Sequence, residues 1–252
     1  MSNFDRNTSF GYEAQVTRAG VDQGLRAYML GVYNYMVLGL GLTGLVALGT
    51  HMLAVAGQVG GKIMLSPLGQ ALYASPLRWV VILSPLAFVF FISARANRIS
   101  AATARNLFLA FSAVMGLSMS SLLIVFTGAS VARIFFITAA AFGGLSIYGY
   151  MTKRDLSPFG SFLIMGVWGL VIAGLVNLFL QSSSFQFALS ILAVLIFSGL
   201  TAWDTQSIKD MYYEGDGYEV AQKKSVFGAL SLYLDFINMF QAMLFLFGQR
   251  NN

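Results

Sequence analysis

Val226–Gly248 reads VFGALSLYLDFINMFQAMLFLFG, and Asp235 is the only charged residue between Lys224 and Arg250. About 20 apolar residues suffice to cross a bilayer as a helix, so this stretch is a membrane span with a carboxylate inside it. A carboxylate at that depth costs about 3 kcal/mol or more, which marks it as a functional position by default. A second one, Asp204, stands where another apolar stretch ends, in GLTAWDTQSI (199–208).

The rest of the chain repeats the pattern. Of 252 residues, 57% are hydrophobic and 10% charged, and the mean hydropathy is +0.72. A soluble domain carries about 25% charge, so this composition belongs to a polytopic membrane protein. Cysteine is absent, which removes disulfides, thiolate metal sites and a cysteine nucleophile. The net charge of +5 comes from basic residues at the ends of apolar runs, a topology signal and not a nucleic-acid surface. The first 27 residues form a polar tail of mixed charge, without the pattern of a cleavable signal peptide, ahead of one membrane domain over 28–248.

Charge-free runs place the spans at Tyr28–Thr50, Pro76–Ala94, Asn106–Phe126 and Ile134–Tyr150. Residues 156–203 also lack charge. As one helix they would be roughly 70 Å long, about twice the hydrocarbon thickness. Gln181-Ser182-Ser183-Ser184 therefore divides them into Phe159–Leu180 and Phe185–Trp203, and Val226–Phe247 is the seventh span. Ser84-Pro85 predicts a kink in the second. Ala139 with Gly143, and Ala140 with Gly144, have the four-residue spacing of small residues that lets helices approach closely. Trp79, Tyr148, Tyr150, Trp203 and Tyr212 fall where interfacial anchors belong.

Eleven Lys and Arg lie on the side of the N-terminal tail and four on the other. The positive-inside rule then sets the N-terminus in the cytoplasm and the C-terminus outside. Asp204 lies at the cytoplasmic end of the sixth span. Asp235 is nine residues into Val226–Phe247, about 14 Å deep at 1.5 Å per residue. Both belong to one helical hairpin, so they can face one another. Asn238, Met239 and Ala242 share a helix face with Asp235, and Asn238 is its natural hydrogen-bond neighbour.

Asp235 reads either as half of a buried structural pair or as a site for a cation or proton. Asp204 alone reads equally as an interfacial helix-end residue. Together they say more. Two adjacent carboxylates in low dielectric cannot both ionise cheaply, so the pair either holds a divalent cation or titrates near neutral pH. Arg95 and Arg98 lie at a depth similar to Asp204, within range of a salt bridge. His51, the only histidine, falls at the outer end of the first span, where solvation is expected. A serine-protease dyad with Ser118 in MGLSMS (115–120) fails on depth, because nucleophile and base must be within hydrogen-bond reach. The seventh span offers no Lys for a retinal Schiff base. No phosphate loop or dinucleotide fingerprint is present.

GYMTKRDLS (149–157), AWDTQSI (202–208) and LSLYLDFINMF (230–240), in this order and with this span count, resemble the Bax inhibitor-1 (TMBIM) family in its bacterial branch. The resemblance implies an all-α integral membrane fold of seven transmembrane helices, six surrounding a central C-terminal helix. It also implies a Ca²⁺ leak controlled by pH through an aspartate pair, here Asp204 and Asp235, with Ca²⁺ as the transported ion and no cofactor. A basic latch at the end of the second helix is implied too, matched by Arg95 in FISAR (91–95), with Arg98 as the alternative. The long first-to-second loop (Gln58–Ser75) and Trp203, where Tyr is common, depart from the pattern. No catalytic residue is expected. The expected partners are Ca²⁺, protons and the lipid bilayer of a bacterial inner membrane, without nucleic acid. Two other functions fit the residues: a proton-coupled secondary transporter, and a non-conducting regulator of another membrane protein such as a protease.

The charge bias and the odd span count make one topological expectation. A reporter active only outside the cytoplasm, fused after Asn252, should be active. Activity of a cytoplasm-only reporter there would remove one span from the reading.

Overall fold

The computed structural model describes residues 4–59 and 62–251. Among them are seven helices long and apolar enough to cross a membrane. They are α1 (Phe4–Ala54, with its membrane part Gln23–Ala54), α2 (Leu77–Arg95), α3 (Ala101–Met119), α4 (Gly128–Met151), α5 (Ser157–Leu180), α6 (Ser183–Asp210) and α7 (Tyr218–Phe247). After Ser120-Ser121, a further turn, Leu122–Val125, completes the third span.

Each boundary has a local cause. The hydroxyls of Ser100, Thr127 and Ser182 cap α3, α4 and α6 by accepting from the N–H groups of Thr103, Ser130 and Phe185. Between α5 and α6 the chain turns at Gln181, whose φ of 49° is left-handed, a conformation that costs an L-residue about 1–2 kcal/mol. The Asn177 side chain supports that turn by accepting from Ser182 N at 3.2 Å. The expected break is therefore real. Pro85 leaves α2 continuous. Proline lacks the N–H that would bond the Val81 carbonyl, and the Ser84 hydroxyl donates to that carbonyl instead, at 2.9 Å.

Two expectations about extent change. The first helix starts at Phe4 and so runs through most of the 27-residue tail. The loop Gln58–Ser75 is more structured than expected. Val55–Val59 pairs antiparallel with Lys62–Leu65, and short helical turns fill 67–74. From there Tyr73 reaches the Ser120 hydroxyl at 2.6 Å.

The last helix is the most buried. It packs on α1, α3, α4 and α6, while α2 makes its main contacts with α3, and α5 with α6. The ring of six expected around α7 is thus four inner spans and two outer ones. Lipid tails are as apolar as the side chains they touch, so packing and polar contacts hold such a bundle together. Aromatic pairs fix the rotation of α7. Tyr233 sits between Phe108 and Phe111 of α3, at 5.6 and 5.7 Å between ring centroids. Phe236 sits between Phe135 and Phe142 of α4, at 5.4 and 5.5 Å. Each such pair contributes about 1 kcal/mol beyond its area. Tyr233 also donates its O–H to Thr43 of α1 at 2.6 Å, because the single Thr43 proton is committed to the carbonyls of Gly39 and Ser112. With 233 held by α3 and α1, and 236 by α4, residue 235 is turned toward α6.

Close helix contacts do not use the small residues expected for them. Gly143 and Gly144 face open space, with nothing within 4 Å of a Cβ placed there. The tight crossings are at Gly149, against the backbone of Ala202, at Gly160, against the Trp203 indole, and at Gly116, against the backbone of Thr43. Trp203 thus has a packing role, its indole covering Gly160 of α5. Gly149→Leu should drive α4 off α6 and abolish a monodisperse purified protein. Gly143→Leu should leave yield and melting temperature within a few degrees of the parent, as size-exclusion chromatography and a thermal melt would show.

Candidate functional site

Asp204 and Asp235 meet. Along the α6–α7 pair, Gly228 lies against Ile208 and the Ser198 hydroxyl points at the Met239 sulfur at 3.5 Å. That antiparallel register brings 204 opposite 235 between them. The two carboxyl groups come within hydrogen-bonding range of each other. Asp235 is 4% exposed, whereas Asp204 is only half-buried. Among the described residues no N–H or O–H donor reaches Asp235 Oδ2, which is fully enclosed. Two carboxylates are acceptors only. Any hydrogen bond between them therefore requires a proton on the pair.

Among the described residues no cation relieves the charge. The one ion pair among the described residues is Lys224 with Asp216, at 2.5 Å, in the α6–α7 connection. Arg95 does not reach Asp204. Its guanidinium lies over the Phe91 ring at 4.7 Å from the centroid, and its side chain is exposed. The physical reason is the position of α2, which packs on α3 while Asp204 is on α6. Arg98, in the turn that follows α2, also forms no ion pair. Asn238 does not serve Asp235 either. Its amide donates back to Leu234 O at 2.8 Å, along its own helix. Nor does α6 end at Asp204. It continues to Asp210, so Asp204 sits within a helix and not at its end. Similarly, α7 begins at Tyr218 and includes Lys223 and Lys224. The Lys224 amine is bound to Asp216 and to Met211 O, so it is no free amine at membrane depth.

The residues after Asp204 build a floor beneath the pair. Gln206 clamps the α4–α5 turn, accepting from Leu156 N and donating to Arg154 O, both at 2.8 Å. Lys209 caps α4 by donating to Tyr150 O at 3.0 Å. In that turn the hydroxyl and N–H of Ser157 donate to Asp155 and hold its carboxyl below the usual range. Thr205 closes a directed hydroxyl chain. Its proton goes to Thr201 O at 2.7 Å, so Ser146 donates to Thr205 at 2.9 Å and Tyr33 donates to Ser146 at 2.6 Å. This chain ties α1, α4 and α6 together one residue from Asp204. Thr201 and Thr205 stand four apart on one face of a helix, a spacing visible in the sequence, but their distant partners Ser146 and Tyr33 carry no such signal.

At the opposite end, residues 249–251 zip onto the α3–α4 turn. Thr127 N donates to Gln249 O and Asn251 N to Val125 O, both at 2.9 Å. His51 is more enclosed than expected, with Nδ1 buried and unpartnered among the described residues. No hydrogen bond joins it to Ser118 among them. Three or more metal-ligating side chains never gather in one place among the described residues. The pair is a two-carboxylate site.

The sequence comparisons agree with this architecture. The profile of the family described as "Inhibitor of apoptosis-promoting Bax1" matches residues 25–252. The chain belongs to the Bax inhibitor-1 family. It is 45% identical to an uncharacterized protein of Rickettsia prowazekii, over 92% of this chain and 93% of that one. It is 42% identical to an uncharacterized protein of Caulobacter vibrioides, over 98% of each. The inner membrane protein YbhL of Escherichia coli strain K12 is 41% identical, over 90% of this chain and 93% of its own. This family member is a multi-pass membrane protein of seven apolar helices.

Proposed function

We propose that the protein is a pH-regulated Ca²⁺-permeable leak in a bacterial inner membrane, with the Asp204–Asp235 pair as its gate and passing cation site. The inner-membrane assignment rests on the likeness to YbhL, and the orientation on the charge bias. One observation carries the functional reading: the half-buried Asp204 and the buried Asp235 face each other with no cation of the described residues paired to either. A proton between them neutralises one charge. Once it leaves, two adjacent negative charges need a counter-ion, and none of the described residues supplies one. Proton and cation compete for the same oxygens. Ca²⁺ takes 6–8 oxygen ligands, and this site supplies two carboxyls. Such a site holds the ion loosely, which suits passage rather than storage.

Asp204 is the less buried member and Asp235 the enclosed one, so an ion meets Asp204 first. Gln206 and Lys209 hold α6 against α4 just below and keep the two carboxyls in register. The Arg95 latch belongs to a second arrangement, in which the guanidinium leaves Phe91 and α2 moves toward α6. Arg95→Ala should then change the pH dependence of flux, and Arg98→Ala should do much less. Equal effects from both, or none from either, remove Arg95 from the gate.

The pair itself is tested by Ca²⁺ flux into liposomes containing only the purified protein, across roughly pH 5–8. Asp204→Asn and Asp235→Asn keep shape and remove the titrating charge. Either change alone should flatten the pH profile, as a single coupled site requires. The double variant should add little beyond the stronger single. Asp235→Asn should have the larger effect on Ca²⁺ affinity. Insertion and purification should survive, because an amide is cheaper to bury than a carboxylate. Wild-type flux with wild-type pH dependence in the double variant would take the gate away from this pair.

A further inference from the structure

Between α1 and α4 the bundle is open. These two spans flank α7 and meet little beyond the Tyr33–Ser146 hydrogen bond, and the gap is a groove of about 1420 Å³. Its floor is Phe236, Ile237 and Phe240 of α7. Ala139 and Gly143 form part of the α4 wall, which is why Gly143 meets no other helix. The lining is apolar along nearly its whole length, from Leu48 to Met29 on α1. Of the hydroxyls that line it, Thr43 is bonded to Tyr233, and Tyr33 to Ser146. Arg26 is the only charged residue among the described ones that line it, and it stands at one end. Its side chain is exposed and has no ion-pair partner among the described residues.

We propose that this groove is a binding site for one anionic phospholipid, its acyl chain lying between α1 and α4 and its phosphate on Arg26. An apolar trough that opens sideways into hydrocarbon takes up hydrocarbon. A single guanidinium at the interface end of that trough selects the headgroup, because it pairs bidentately with phosphate oxygens. Lengths agree with a lipid of the leaflet on the Arg26 side. Tyr33 and Ser146 are at one level, which sets Gly143 about ten residues above Arg26. That is about 15 Å, half the hydrocarbon core of about 30 Å. A second copy of the chain suits the groove less well. Two-fold pairing within one membrane brings a second Arg26 to the same leaflet beside the first. This assignment does not depend on the aspartate pair or on Ca²⁺ flux.

The experiment is native mass spectrometry of the delipidated protein, titrated with phosphatidylglycerol or with phosphatidylcholine carrying the same chains. One phosphatidylglycerol should be retained per chain, in preference to phosphatidylcholine. Arg26→Gln should weaken phosphatidylglycerol about fivefold and leave phosphatidylcholine unchanged. Gly143→Phe fills the trough where nothing lies within 4 Å and should weaken both lipids. Gly169→Phe, on α5 and equally uncrowded, should change neither and serves as the control for folding. Equal retention of the two lipids by the wild type overturns the headgroup assignment, as does an unchanged preference in Arg26→Gln. Undiminished retention in Gly143→Phe overturns the groove. A dimer that Gly143→Phe converts to monomer gives the groove to a second copy instead.

Discussion

Inside this bundle two carboxyl groups face each other where the described residues offer no donor to one of their oxygens and no cation to either. That arrangement is costly unless a proton or an external cation is present, because the penalty for burying charge is repaid only by a partner. The surrounding structure keeps the two groups together despite it. Tyr233 and Phe236 lock α7 in rotation from both sides. On the partner helix, Gln206 and Lys209 fix the segment just past Asp204 to the end of α4. With neither helix free to turn, the carboxyls cannot relieve their repulsion by rotating apart. What remains variable is the occupant of the space between them.

Two kinds of directional contact join the spans, aromatic edges and hydroxyls. Tyr233 with Thr43 joins α7 to α1, and Tyr33 with Ser146 and Thr205 joins α1 to α4 and α6. In hydrocarbon such hydroxyl bridges contribute about 0.6–2 kcal/mol each. Both chains of bonds end on helix carbonyls, so every proton in them is spoken for. They contribute rigidity and leave the two carboxyls as the group whose protonation can change without breaking the fold.

Much of this was legible in the residues, for reasons that differ from place to place. Spans follow from charge because lipid excludes charge regardless of packing. The break at Gln181 follows from length, since no helix of 48 residues fits one bilayer. The meeting of Asp204 and Asp235 follows from depth on two antiparallel neighbours. Side-chain direction is another matter. Arg95 has the right depth for Asp204 but belongs to an outer span, and depth alone does not report which helix is next to which. Ala139 and Gly143 have the spacing of a helix seam and line a groove instead, because a small residue permits close approach without requiring it. Asn238 shares a face with Asp235, yet its amide is satisfied by its own helix. The hairpin in the first connection did carry a signal, Gly60-Gly61 between two short apolar runs, which the length of the loop obscured.

Synthesis order gives the central position of α7 a further meaning. Of the seven spans, the one packed against most of the others is made last. Thr43 and Tyr233 are 190 residues apart in the chain, so that bond waits for almost the whole protein. Until α7 arrives, six inserted helices hold a vacant slot lined with Thr43, Phe108, Phe111, Phe135 and Phe142, which lipid must fill for the time being. Assembly therefore has a late committing step, in which one helix displaces lipid and carries Asp235 into place. A chain interrupted before that step would be fully inserted yet unassembled, and distinguishable to a membrane protease by that slot alone.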